Sequence, residues 1–163
     1  MKRKSTRLYN LFFPVWLLFL HPALIAAALP INFGIDLLVV FLALCAMNIE
    51  NKKELLKAKV WRTWLFGFAA DGIGGVILFI LSQIPATYDI FGQDLYFNPF
   101  RSVPALLIML TVMALVGYLI YLFNRKFVYR DTDLTEKQQR CICLALAIAT
   151  TPYFYLLPTI WFV

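Results

Sequence analysis

The sequence predicts an all-α integral membrane protein: one domain over residues 1–163, a bundle of five transmembrane helices, N-terminus cytoplasmic and C-terminus outside. Three observations carry this reading. The 163 residues are 62% hydrophobic and 15% charged, against roughly 45–50% and about 25% in soluble domains. The apolar residues gather into runs long enough to cross a bilayer as a helix, which takes about 20 residues. The basic residues fall almost entirely on one side of those runs. The period-2 alternation of a membrane β-barrel is absent.

The first run is Leu8–Leu29, behind the basic tail "MKRKSTR". A tail, an apolar run and then "AAALP" also match a cleaved secretory signal. The run is about 22 residues, longer than the usual 7–15 of a signal, and it contains Pro14, His21 and Pro22. An uncleaved span is therefore expected. The turn "LPINFG" leads to the second run, Ile31–Ile49. Pro30 is expected to stop one helix and Asn32 to cap the next, making an antiparallel hairpin.

"NIENKKELLKAKVWR" is expected to continue as a helix into the third run, Thr63–Ile84, with Asn51 and Glu54 as a variant capping box. The loop Pro85 to Ser102 holds five aromatics and two aspartates, Asp89 and Asp94. It is expected to lie along the interface or fold over the mouth of the bundle. The fourth run is Val103–Phe123. "DTDLTEKQQR" offers Asp133 with Glu136 as a second variant box ahead of the fifth run, Cys141–Val163. In that run Pro152 and Pro158 break the backbone ladder, and a discontinuous helix can line an ion or substrate site.

Charge sets the orientation. Four of the fifteen Lys and Arg lie in the N-terminal tail, five between the second and third runs, and five between the fourth and fifth; only Arg101 lies elsewhere. Short basic loops stay in the cytoplasm, so the expected location is the cytoplasmic membrane. Tyr9, Trp61 and Trp64 mark the inner boundary, and Tyr88, Tyr96 and Trp161 the outer. The formal net charge of +6 thus reads as an orientation signal that can also touch anionic headgroups. The partners expected are the lipid bilayer, a second copy of the chain or another membrane subunit, and no nucleic acid. Cys45, Cys141 and Cys143 form no metal-binding pattern, and no cofactor is expected.

"FAADGIGG", residues 68–75, places Asp71 among glycines at mid-membrane depth, where an acid costs roughly 2.5–3.5 kcal/mol on insertion scales. Gly67, Ala70, Gly74 and Gly75 form a small-residue packing face beside it. Asp71, His21 and Asp36 are the candidate transport residues, with His21 and Asp36 as an outer path above Asp71. Thr111, Thr150, Thr151, Tyr153 and Asn48 could extend the polar set. The bland readings stand beside these. Asp71 in its neutral form can be helix glue, His21 can satisfy a carbonyl freed by the Pro22 kink, and Asp36 can be a cap.

Enzyme signatures fail. Asp71–Gly72 matches the opening of the CDP-alcohol phosphotransferase motif, but the Ala-Arg and further aspartates that should follow are missing. The expected function is passage of a small ion or solute. The alternatives are a non-catalytic membrane subunit that binds a partner through its basic helices, and a lipid-modifying membrane enzyme. No residue is assigned a catalytic or metal-binding role.

Overall fold

The computed structural model describes residues 22–84 and 94–158, and every described element is helical. Helix α1 is Pro22–Ala46 and α2 is Lys52–Gln83. A single turn, α3, spans Asp94–Phe97, followed by a 3-10 turn at Pro99–Arg101. Helix α4 is Val103–Phe123 and widens into a π turn at Asn124–Val128. Helix α5 is Glu136–Ala149, and a 3-10 turn at Tyr153–Leu156 follows.

The four long helices form a closed ring: α1 packs on α2, α2 on α4, α4 on α5, and α5 back on α1. Five residues, 47–51, turn α1 into α2, so the two are antiparallel. Asn48 takes the left-handed conformation there (φ 52°), with the Ile49 N–H bonded to the Leu44 carbonyl. Asn tolerates this conformation better than most residues and ends the helix. Asn48 is thus a helix terminator and lies away from the central polar groups.

The surface pattern is that of a bundle in lipid. Ile31, Leu38, Leu42, Leu65, Val76, Leu107 and Ile148 are exposed, whereas Asp36, Thr63, Asp71, Asn124 and Thr150 are buried. Soluble helices place their polar residues outward. Three helices among the described residues are long and apolar enough to cross a membrane, over Leu29–Ala46, Lys52–Leu81 and Val103–Val128.

That count differs from five, for three reasons. Residues 1–21 lie outside the described residues, and most of the first run with them. Pro30 does not end a helix: α1 runs continuously through it, so Leu29 and Ile31 share one helix. Proline removes one backbone hydrogen bond. A turn at that depth would unpair several, and hydrocarbon offers no water to replace them. Finally, Cys141–Val163 does not make one continuous crossing helix. α5 has 14 residues, about 21 Å at 1.5 Å per residue, short of the ~30 Å hydrocarbon core.

Two helix starts also differ from expectation. Asn51 precedes α2 but makes no side-chain cap bond. At α5 the capping box is Thr135 with Gln138, not Asp133 with Glu136: the Gln138 N–H donates to Thr135 Oγ1 and the Thr135 N–H to Gln138 Oε1. The continuation of the inner loop as helix holds, since α2 begins at Lys52. Of the loop expected over the mouth, the described part folds back against the start of α4, with Leu95 and Pro99 buried.

Candidate functional site

The α1–α2 seam sets the site. Asn32 and Asp36 are one turn apart on α1, and Gly67 and Asp71 one turn apart on α2, so both pairs share a helix face. Asn32 Nδ2 donates to Asp71 Oδ2 at 3.3 Å. A Cβ on Gly67 would stand 3.4 Å from Asp36 Oδ2, so glycine gives the Asp36 carboxyl its room. Asp36 is 2% exposed and Asp71 3%. Asp36 Oδ2 and Asp71 Oδ1 are buried with no hydrogen-bond partner among the described residues, and the two carboxyls are near enough to act on one another electrostatically.

The third wall comes from the end of α5. Pro152 cannot donate to the carbonyl of Ile148, four residues back. The Tyr153 hydroxyl donates to that carbonyl instead, at 2.6 Å. The Thr150 hydroxyl donates to Leu146 O at 2.8 Å, and the Thr151 hydroxyl to Ala147 O. The chain then turns, and the buried Tyr155 reaches α2 and donates to the backbone carbonyl of Asp71 at 2.8 Å. A cleft of about 350 Å³ opens at this junction, lined by α1 (Ile31, Asn32, Ile35), Asp71 and residues 149–154.

Close helix approach makes this geometry possible. A Cβ on Gly74 would lie 2.4 Å from Val116 Cγ2 and 3.1 Å from the Tyr155 hydroxyl; one on Gly117 would lie 2.8 Å from Thr151 Oγ1. Gly67, Ala70 and Gly74 are buried and Gly75 partly so, and their neighbours belong to this chain's own α1, α4 and post-α5 segment.

The expected path changes in order. Because α1 runs toward the basic end, Asp36 lies one turn nearer that end than Asn32, which is level with Asp71. Asp36 therefore sits below Asp71, where an outer position was expected. Asn32 is a partner of Asp71 rather than a helix cap. His21 lies outside the described residues. Thr150, Thr151 and Tyr153 line the cleft; Thr111 is exposed and bonds the Leu107 carbonyl of its own helix. Tyr155 and Gly117 were not singled out from sequence. The signal for Tyr155 is faint: it is one of three polar-tipped or aromatic residues after a proline, and only the fold decides which turns inward.

A second buried polar contact lies toward the basic end. Thr63 Oγ1 and the Tyr129 hydroxyl are 3.1 Å apart and buried, and they tie the start of α2 to the end of α4. Phe66, Phe123 and Phe127 pack around that junction, with Phe66 stacked on Phe127 at 5.2 Å.

No family model, curated protein or solved structure matches this chain.

Proposed function

We propose that this chain is a multi-pass membrane protein that passes a small ion or solute, with Asp71 as its binding or protonatable site. The observation that carries the reading is the Asp71 carboxyl. It is buried at mid-helix with one oxygen unpartnered, and it faces a cleft made where α5 breaks. Acids inside membrane helices are costly and mark ion pathways when they face a cavity, and broken helices supply such sites in transporters. Asp36, one turn further along the seam, extends the polar path toward the basic end.

The orientation we propose puts the basic end in the cytoplasm. Lys52, Lys53, Lys57, Lys59 and Arg62 start α2; Arg125, Lys126 and Arg130 follow α4, and Lys137 and Arg140 lie in the first turns of α5. Short basic loops are retained on that side. α1, α2 and α4 are then complete crossings, and α5 with the chain after it is a broken one.

The test is flux into liposomes carrying the purified protein, wild type beside Asp71→Asn. Wild type conducting and the variant not, with both eluting alike in detergent, supports the reading. Equal flux through both, or none through wild type, contradicts it.

A further inference from the structure

We infer that the cleft selects a monovalent cation and exchanges it for a proton at the Asp71 carboxyl, with Asp36 as a second acid one turn along the seam. This rests on the transport reading above and names its substrate.

The hydroxyls of Thr150, Thr151 and Tyr153 all donate to backbone carbonyls. Asn32 donates to Asp71 Oδ2 and keeps its own carbonyl oxygen. The side chains around the cleft therefore have oxygen lone pairs left to offer. Among the described residues no Lys or Arg lines it. The C-terminal end of α5 closes one side, and the carbonyl end of a helix dipole is negative. An anion would meet repulsion from the Asp71 carboxylate and the α5 end, and a cation is matched by Asp71 Oδ1, which has no hydrogen-bond partner among the described residues.

Donor number favours a single charge. Calcium-type ions take six to eight oxygens, usually with several carboxylates. Among the described residues no three acidic, His or Cys side chains come together. Two carboxyls and a few neutral oxygens suit an ion of lower charge.

Exchange follows from the same carboxyl. A carboxylate binds a metal ion only when it is deprotonated. Written out, the protonated Asp71 carboxyl loses its O–H proton as the cation enters, and the carboxylate–cation contact replaces it. One positive charge arrives and one leaves. Few other groups interfere. α1 contributes Asn32 and Asp36 to the seam. α4 carries no charged residue over Val103–Phe123. Beyond α5 the groups that face Asp71 are Tyr155 and Tyr153, and Tyr129, after the π turn, acts electrostatically on Asp36.

The experiment is proton release from detergent-purified full-length protein in weak buffer, on adding sodium chloride, potassium chloride or choline chloride. Wild type should release about one proton per chain with sodium or potassium and none with choline. The apparent Kd for the metal ion should rise about tenfold for each pH unit lowered while the proton competes. Asp71→Asn should lose at least nine-tenths of the release, and Asp36→Asn should weaken apparent affinity. The pH dependence of wild type keeps the test valid if a variant fails to fold. Flux of an anion or neutral solute without cation-linked proton release overturns this inference and leaves the transport reading standing. Proton release without flux supports the cation site and overturns transport. Neither signal overturns both.

Discussion

Two regions of the bundle bury polar groups in different ways. Toward the basic end, Thr63 and Tyr129 satisfy each other across α2 and α4, inside a packed cluster of Phe66, Phe123 and Phe127. Further along the α1–α2 seam, Asp71 and Asp36 each keep an oxygen without a partner among the described residues, and a cleft opens beside Asp71. Trp64 Nε1 and Asn124 Oδ1 also lack partners, but a neutral amide or indole costs far less to bury than a carboxylate. The same fold thus contains a polar fastener and a polar opening. Burial alone therefore does not separate the two regions; an unsatisfied carboxyl next to space does.

This contrast can be broken most severely through the glycines. Gly74→Val forces a side chain into Val116 and Tyr155 and should destabilise the protein by about 1–3 kcal/mol, as overpacking does. It should also separate the post-α5 segment from α2, so both detergent-melting temperature and flux should fall. A wild-type melting curve would contradict the close approach.

Tyr129→Phe removes the fastener and leaves Thr63 buried without its partner, which should cost about 1–3 kcal/mol. Thermal melts read this, and flux per folded protein should stay unchanged. Lost flux at unchanged stability would mean that the basic end belongs to the pathway too.

Tyr155→Phe sharpens the contrast in the other region. It deletes one hydrogen bond to the Asp71 carbonyl, worth about 0.5–1.5 kcal/mol. That carbonyl remains in the helix ladder, so the stability loss should be small and the change in flux larger. Hydrogen exchange in residues 150–158 should speed up, and unchanged exchange would remove Tyr155 from the account.

The smallest effect belongs to Gly72→Ala. Nothing lies within 4 Å of a Cβ there, so stability should hold or rise by up to about 1 kcal/mol from helix propensity. A marked loss would mean that the face of α2 opposite the seam is covered.

What could be read from the sequence follows from how local each signal is. The apolar runs, the basic ends and the isolation of Asp71 are properties of short windows, and the helical bundle and its buried acid follow from them. Pro152 was legible as a break for the same reason: proline acts on its own turn. Pro30 stays within a helix because the one hydrogen bond that it removes costs less than the alternative. Inside a 25-residue apolar helix the alternative, a turn at membrane depth, is worse. Asn32 looked like a cap because capping is a local habit of Asn, whereas its bond to Asp71 spans 39 residues. The inversion of Asp36 and Asp71 along the seam, and the choice of Tyr155 over its neighbours, depend on register between helices, which no window contains.

The central claim is that Asp71 is held for function while Thr63 is held for structure. The most direct measurement sets Asp71→Asn beside Thr63→Val and records melting temperature and flux for each. The account predicts a crossed result: Asp71→Asn abolishes flux and keeps the wild-type melt, and Thr63→Val lowers the melt and keeps flux per folded protein. If Asp71→Asn lowers the melt as Thr63→Val does, with flux falling only in step with folded protein, then Asp71 is a fastener like Thr63 and the claim is wrong.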